Sequence, residues 1–592
     1  MAESIISPAV YLRENDISFI APAPVEPGAA FVGPTVKGPV EVPTVVTSYN
    51  EYVRNFGETF ISSSNTYEFL TSIAVRNYFS QGGRTALIAR VVSGSDKYSP
   101  AQNTFISGAA FGPYSASEPF NIYTLGKGAL YNNASSSLSA ISGGPTYINK
   151  DGSLVSGSAD NLRWEITNVD NKKGTFTLLV RQGNDSTNNP IILETFSNVS
   201  LDPNSTNYIE AVIGTQDTEL KGDSTDNYHV NTVGNYPNRS KYIRVNVKRA
   251  TPNYLGNDGL TVNLDASGVS YSASLPNTGS GAFYGAEGVV KAGATFFEQI
   301  GNNTETQGLV AASYTKVLSV LSNKDDYQFN IITVPGALQS TTVGSNVIQQ
   351  VVSLAEQRGD CIAVVDMVPT GSRVSEVVDE AKDLNSSYAA TYWPWVQVRS
   401  ATGKNVFVPA STVIPGVYAF TDNASAPWFA PAGLTRGGLA GVIQAERKLT
   451  KADRDILYSG KVNPIATFPG TGISVFGQKT LQTKASALDR VNVRRLLIEL
   501  KKFIGDQAKN LVFEQNSVAT RNRFLAAVNP YLESVVQREG LYAYRVVMDD
   551  TNNTADVVDR NQIVGQIYIQ PTRTIEYVVL DFVVEPTGVT FA

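Results

Sequence analysis

The sequence predicts a multidomain protein of mixed α/β and α+β class with a β-rich middle region. Residues 310–400 alternate continuous apolar strands with helices, and the C-terminal third passes from helices into strands. Residues 96–308 differ in composition, because Ser, Asn, Gly and Thr dominate and the apolar runs are short. At about 150 residues per domain, a chain of 592 residues has the length of roughly four domains.

The N-terminal part is predicted to begin with an extended segment. Within the first twenty residues, Val10 and Leu12 alternate in a strand-like pattern. Residues 21–43 are rich in Pro and Gly and are predicted to form turns and edge strands, since proline cannot donate to a sheet ladder. A short amphipathic helix is predicted over Tyr67–Tyr78.

The middle region is predicted to be β-rich with large loops. Arg163–Val169 and Gly174–Arg181 alternate as strands on either side of a four-residue polar turn, which predicts a hairpin. Tyr242–Val247 is a further strand-like run. These features favour a loop-rich accessory region.

Residues 309–455 are predicted to form an α/β domain. Its strands are the apolar runs Phe329–Gly336 and Cys361–Val368, and its helices are Ser345–Glu356 and Val374–Leu384. Continuous apolar strands joined by helices are typical of parallel βαβ units.

Residues 456–570 are predicted to form an α+β unit with a basic helix that begins at Val491. Five basic residues are predicted to cluster on one side of this helix: Arg494, Arg495, Lys501, Lys502 and Lys509. A basic face on a chain of net charge −6 suits an acidic partner. A solvated face with an Arg495–Glu499 pair is an equally good interpretation.

Composition argues against several kinds of chemistry. One cysteine, Cys361, excludes an intrachain disulfide and a Cys-based zinc site, and one histidine, His229, leaves a single histidine base. Cys361 is predicted to be a buried hydrophobic residue and His229 a surface residue. The chain has no global basic field for nucleic acid, no apolar run near the ~20 residues of a spanning helix, and no secretion-signal pattern. These features predict a soluble protein made in a reducing cytoplasm, without cofactor or metal.

Two segments resemble known ligand-binding loops in sequence but lack residues that those loops require. Gly472–Thr480 resembles a phosphate-binding loop, but Gln478 separates Gly477 from Lys479, whereas the mechanism needs lysine directly after glycine. Asp549–Asn553 lacks the Gly and the closing Glu of a calcium loop, so a turn is favoured. A glycosidase pair among the 53 Asp and Glu residues stays open, because spatial separation defines such pairs.

Several blocks of the sequence, taken together, resemble the tail sheath proteins of contractile-tailed, T4-like bacteriophages. The blocks are Ser7–Asp16, Phe31–Gly57, Gly82–Val92, Ile192–Gly214, Arg358–Met367, Ser386–Val398, Val408–Gly433, Asn463–Leu481 and Asp559–Phe582. Ala9 stands where the family usually has Gly. The number and order of the blocks carry the resemblance, which is strongest in residues 1–95 and 310–592.

The resemblance implies a structural subunit and no enzyme. Sheath subunits stack as six-fold rings around a tail tube, and contraction drives the tube through the host envelope. The expected partners are further copies of the chain, the tail tube protein, and the baseplate and tail terminator proteins, without direct nucleic-acid contact or membrane insertion. The expected location is the virion tail, after assembly in the host cytoplasm.

The resemblance also implies a division of the chain and roles for particular residues. The expected parts are an N-terminal extended arm (1–20), a first part of the core (21–95), an inserted, outward-facing β-rich region of one or two domains (96–308), an α/β core domain (309–455), a C-terminal α+β inner domain (456–570) and a C-terminal strand or arm (571–592). The basic helix is expected to face the tube. Strands that join neighbouring subunits are expected at Val10, Leu12, Tyr577, Val579, Leu580 and Phe582.

Three other functions remain open at this point. The chain could be the sheath of a contractile bacteriocin or a related injection particle, which has the same architecture. It could also be a phage-borne carboxylate polysaccharide hydrolase, or a non-contractile tail or fibre adhesin.

Overall fold

The computed structural model describes residues 28–62, 65–92, 98–103, 119–128, 149, 151–154, 157–222, 227–288, 309 and 311–577. The helices are α1 (Tyr49–Phe56), α2 (Leu70–Ser80), α3 (Ile209–Ile213), α4 (Ala311–Val320), α5 (Thr342–Arg358), α6 (Val374–Lys382), α7 (Ile414–Ala424), α8 (Gly433–Arg436), α9 (Lys451–Ser459), α10 (Val491–Lys509), α11 (Val518–Gln537) and α12 (Ala555–Asp559).

The strands of the first half are β1 (Ala29–Gly33), β2 (Thr44–Val46), β3 (Thr59–Ser62), β4 (Asn65–Glu68), β5 (Ala86–Arg90), β6 (Pro100–Asn103), β7 (Phe120–Lys127), β8 (Leu162–Asp170), β9 (Thr175–Gln182), β10 (Ile192–Ser200), β11 (Asp217–Lys221), β12 (His229–Val233), β13 (Ile243–Val247) and β14 (Gly279–Tyr284). Those of the second half are β15 (Ile331–Leu338), β16 (Ile362–Asp366), β17 (Ala389–Trp393), β18 (Val396–Arg399), β19 (Asn405–Val408), β20 (Val442–Ala445), β21 (Val462–Phe468), β22 (Gly472–Val475), β23 (Leu541–Val547) and β24 (Gln566–Pro571).

The main sheet has eight strands, in the order β2-β5-β1-β15-β16-β17-β21-β22. Its central strands are parallel, and β2 and β22 are antiparallel edges. Alternate residues of β1 point into different cores, with Ala30 and Val32 in one and Ala29 and Phe31 in the other. A sheet buried on both faces requires the continuous apolar runs seen in the sequence. The predicted mixed α/β and α+β fold class is confirmed.

The prediction of edge strands for residues 21–43 is wrong at β1. Ala29–Gly33 is completely buried and pairs in parallel with both β5 and β15. The prolines lie outside the strand, at Pro27 and Pro34, so every residue of β1 keeps its backbone N–H for the ladder.

Local signals place the helices of the α/β part close to their predicted positions. The side chain of Thr341 accepts a hydrogen bond from the backbone N–H of Gly344 and caps α5, and Gly359, with φ 68°, ends it in the left-handed conformation. The helix predicted over Tyr67–Tyr78 instead begins at Leu70. The preceding residues form β4, in which Tyr67 pairs with Phe60 of β3 and stacks on its ring.

The chain leaves the main sheet after β5 and re-enters it at β15. Between these points β10-β9-β8-β14-β6-β7-β13 form a separate seven-stranded antiparallel sheet with its own core. The hairpin predicted around residues 163–181 is confirmed as β8 and β9. The two ends of this region meet, because the backbone N–H of Ser99 donates to the carbonyl of Glu287 at 3.3 Å and Glu287 N–H donates to Ser99 Oγ at 2.9 Å.

A buried arginine on β5 connects the main sheet to this region. The Arg90 guanidinium donates from Nη1 to the carbonyl of Gly38 at 2.7 Å and to the carbonyl of Lys127, at the end of β7, at 3.0 Å. Lys37 adds an ion pair with Asp160 at 3.0 Å. Charged groups therefore fix the junction between the two sheets.

The C-terminal part packs α10 and α11 against the β23–β24 hairpin around a small core. Helix α11 follows α10 after a short connection and spans Val518–Gln537. The main sheet also extends beyond the predicted boundary at residue 455, because β21 and β22 lie at its edge. Within the described ranges, none of the helices combines the length and apolarity needed to cross a bilayer.

We expect Asp185→Ala to destabilise the seven-stranded region strongly. The Asp185 carboxylate is fully buried and pairs with Arg163 at 2.8 Å and with Arg181 at 2.7 Å. Removing it leaves two buried guanidinium groups without their shared anion, which costs about 3 kcal/mol of unfolding free energy. Urea denaturation measures this change. The control Lys382→Ala breaks an exposed pair with Asp379 and should cost about 0.5 kcal/mol or less. Equal effects would contradict the prediction.

We expect Asp366 to make stability depend on pH. Burial at the end of β16 raises the pKa of its carboxyl to about 7, although Ser411 N–H donates to Oδ1 at 3.1 Å. The native state then binds the proton more tightly than the unfolded chain does. The free energy of unfolding should fall, by about 1 kcal/mol per pH unit, from about pH 4 to pH 7 and level off above. Asp366→Asn should remove this slope in urea denaturation across that range, and an unchanged slope would refute the assignment.

Candidate functional site

The residues considered for catalysis or metal binding are spread over the molecule. His229 lies exposed on the β11–β12 hairpin, and its Nδ1 is 3.0 Å from the carbonyl oxygen of Asn227. Cys361 is fully buried before β16, and burial raises the pKa of its thiol to about 12. Asp549 Oδ1 accepts from the N–H of Thr551 at 2.9 Å, in a turn. In the described part of the chain no three His, Cys, Asp or Glu side chains form a metal-binding group.

In the segment that resembles a phosphate loop, the lysine already bonds to other residues of the protein. Lys479 Nζ donates to the carbonyl of Tyr458 at 2.7 Å and lies 4.0 Å above the centre of that ring. The Lys479 N–H donates to Asn463 Oδ1 at 2.6 Å. A Cβ at Gly477 would lie 2.9 Å from Pro464 Cδ. The ammonium therefore bonds to the backbone of the protein, and the glycine is needed for close packing.

The first half of α10 is buried, and this corrects the predicted basic face. Arg494 is 4% exposed and Arg495 is 3% exposed. Arg494 lies 3.9 Å from the ring centre of Tyr388, and Arg495 Nη2 contacts both carboxylate oxygens of Asp422, at 2.7 and 2.6 Å. Neither arginine lies on the outer surface of the chain, and Arg495 pairs with Asp422 where the sequence suggested Glu499.

The lysines in the second half of α10 line a surface groove of about 500 Å³, which we call the lysine groove. Its lysines are Lys324, Lys501, Lys502 and Lys509, and its walls also carry Asp360, Glu499 and Asp506. Lys501 Nζ donates to the hydroxyl of Tyr388 at 3.1 Å, and Lys509 lies 3.6 Å from Asp506. Gly28, the first described residue, also lines the groove. Three of the five predicted basic residues thus lie together at the surface.

The β23–β24 hairpin pairs only with itself among the described residues. The α10–α11 helices cover one side of it, whereas Tyr542 and Tyr568 are exposed. A two-stranded sheet has two unpaired edges, and such edges accept further strands.

The predicted joining strands lie mostly outside the described residues. Val10 and Leu12 precede them, and Val579, Leu580 and Phe582 follow them. Tyr577 is described and is 77% exposed.

The site that holds the segment leading to Tyr577 is not among the predicted sites. Arg490 donates to the Glu576 carboxylate from Nε at 2.6 Å and from Nη2 at 3.0 Å. The buried Gln478 amide donates to the same carboxylate at 3.3 Å and also to Thr574 Oγ1. The one feature of the sequence that points to this site is Gln478, the glutamine that interrupts the phosphate-like loop.

Comparison with known proteins finds similarity in the second half of the chain. Residues 307–481 match the phage tail sheath protein central domain, and residues 483–585 match the phage tail sheath C-terminal domain. The tail sheath protein of Vibrio phage KVP40 is 43% identical over 189 residues, or 32% of this chain and 28% of the relative. That of Enterobacteria phage T4 is 36% identical over 271 residues, or 43% of this chain and 41% of the relative. Each match spans less than half of the relative's length.

A likeness of fold extends further along the chain than these matches. The crystal structure of a sheath tail protein from Listeria innocua has a TM-score of 0.50 and 10% sequence identity, and it covers 92% of this chain and 96% of that chain. The two domain matches follow each other in order and include the four lysines of the groove and the β23–β24 hairpin. Over residues 307–481 and 483–585, the chain is therefore similar to the central and C-terminal domains of phage tail sheath proteins.

Proposed function

We propose that this chain is the structural subunit of a contractile phage tail sheath. Copies of it polymerise as stacked six-fold rings around the tail tube, and contraction of the polymer drives the tube through the host envelope during genome delivery. The observation that carries this proposal is the match to both sheath domains, in order, over residues 307–585.

Self-assembly would use the unpaired edges of the β23–β24 hairpin. Backbone hydrogen bonds of an added strand give affinity without a large apolar interface. The proposed donors are the segments around Val10 and Leu12 and the segment from Tyr577 to Phe582. Such arms keep neighbouring subunits connected while the bodies rotate.

The lysine groove is the proposed contact with the tube in the extended state. Four lysines line it, against three wall carboxylates of which Asp360 is already paired with Arg358 at 2.8 Å. An acidic partner surface would complement this charge. Contacts between exposed charges give specificity and orientation and are individually weak, so they can break when the subunit moves.

Contraction would release free energy stored in the assembled lattice. Such a sheath is a two-state polymer in which the extended form is metastable and the contracted form lies lower in free energy. This mechanism needs packed bodies joined by tethers and no bound nucleotide. The inserted seven-stranded region is proposed to face outward, where it can vary without disturbing the lattice.

The remaining partners follow from the same proposal. The baseplate would bind one end of the polymer and trigger contraction, and the tail terminator would bind the other end. Assembly would take place in the host cytoplasm and the product would belong to the virion tail. The relatives that are 36–43% identical come from phages, and this favours a phage tail over an injection particle.

We expect the purified full chain to form hollow six-fold tubes without any other protein. Negative-stain or cryo-electron microscopy at rising protein concentration would detect them. Deletion of residues 578–592 should prevent tube formation and leave the circular dichroism spectrum essentially unchanged, because only a proposed arm is removed. Persistent monomers of the full chain would contradict the proposed function.

We expect Lys501→Glu combined with Lys509→Glu to weaken binding to the tail tube at least about tenfold near 0.1 M salt, since two attractive charges become repulsive. Self-polymerisation should be retained. Cosedimentation with purified tail tubes measures the binding. Lys382→Glu with Lys451→Glu is the matched control, because both lysines are exposed on other helices. Equal loss in both double variants, or none in the first, would remove the groove from the interface.

A further inference from the structure

The segment that follows β24 has one face that contacts the rest of the protein and one face that is exposed. Thr574 and Glu576 turn toward the body, whereas Ile575 is 84% exposed and Tyr577 is 77% exposed. Side chains alternate between two faces in an extended chain. Fixing Glu576 therefore decides that Ile575 and Tyr577 point outward.

The side chains that contact Glu576 are well suited to bind a carboxylate. Arg490 contacts both oxygens in a two-pronged geometry, which is the strongest common form of charge-assisted hydrogen bond. The Gln478 amide adds a third donor from a side chain that is 3% exposed. Burial alone would raise the pKa of the Glu576 carboxyl, but the hydrogen bonds and charge of Arg490 hold it below its ordinary value.

The same residues join the segment to α9 and to α10. The N–H of Val491, the first residue of α10, donates to the carbonyl of Gln478 at 2.8 Å, and Arg490 pairs with Lys479 in an isolated bridge. Lys479 is itself held by Tyr458, the last residue but one of α9. Arg490 and Gln478, which hold Glu576, are thus attached to α9 and α10. Gln478 lies in the segment that resembles a phosphate loop.

We propose that Arg490, Gln478 and Glu576 form a clasp that sets the orientation of the C-terminal segment and thereby presents Ile575 and Tyr577 to a second copy of this chain. A second copy is the proposed occupant because fifteen further residues follow Tyr577 in the sequence, where the described part ends. Each copy also carries a β23–β24 hairpin that, among the described residues, pairs only with itself. This inference rests on the proposed function, in which the segment is an intersubunit arm.

The clasp can be tested by amide hydrogen exchange of residues 572–577 in the full chain, below the concentration at which polymer forms. Glu576→Gln and Arg490→Gln should each speed this exchange at least about tenfold, since each removes the charge pairing. The double variant should be no faster than either single variant, because the two groups act as one unit. Asp556→Asn is the control, as it breaks an exposed pair with Arg560 in the same domain.

The second measurement is the rate of tube formation, followed by light scattering. Slower tube formation in the two clasp variants, with faster exchange and a normal control, supports the proposal. Unchanged exchange overturns the clasp, and faster exchange with unchanged tube formation overturns its role in presentation.

The unaltered chain tests the proposed function separately. If it forms no tubes at any concentration, the sheath function fails, whereas the exchange experiment still decides whether the clasp exists. Tubes formed by the unaltered chain but not after deletion of residues 578–592 place the effect in the arm.

Discussion

The fold depends on the pairing of β1 with two strands that are distant from each other in sequence. Ala29–Gly33 bonds to β5 on one side and to β15 on the other, in the middle of a sheet buried on both faces. Backbone groups at that depth need partners, so β1 has no alternative position of equal free energy. The pairing closes the N-terminal part onto the α/β part and fixes the position of Gly28, which lines the lysine groove.

Helix α10 connects the features that bear on the proposed assembly. The helix begins directly after Arg490, which holds Glu576. Arg494 and Arg495 lie in its buried half, and its second half lines the lysine groove. Buried charge pairs contribute little net stability but strongly penalise a wrong arrangement, because breaking them leaves isolated charges. The two arginines therefore hold the helix in one orientation, and the exposed lysines keep a defined spacing relative to the C-terminal segment.

The sequence predicted the α/β strands and helices well, because continuous apolar runs and caps such as Thr341 are local signals. The prediction of edge strands was wrong at β1, because the prolines on either side suggested an edge position for a strand that is buried. The predicted basic face was also wrong for Arg494 and Arg495, since a helical wheel assumes that charges face water. Their partners, Tyr388 and Asp422, come from other elements of the fold, and only the tertiary structure brings them together. The clasp at Glu576 was missed for the same reason.

The meeting of the two ends of the inserted region has a practical consequence. Ser99 and Glu287 hydrogen-bond to each other, so the first and last described parts of the seven-stranded region lie side by side. A foreign domain whose own termini lie close together could replace it without stretching the strands on either side. In a polymer of this chain, such a graft would repeat once per subunit. The closeness of these two parts would make the chain a display scaffold with regular spacing.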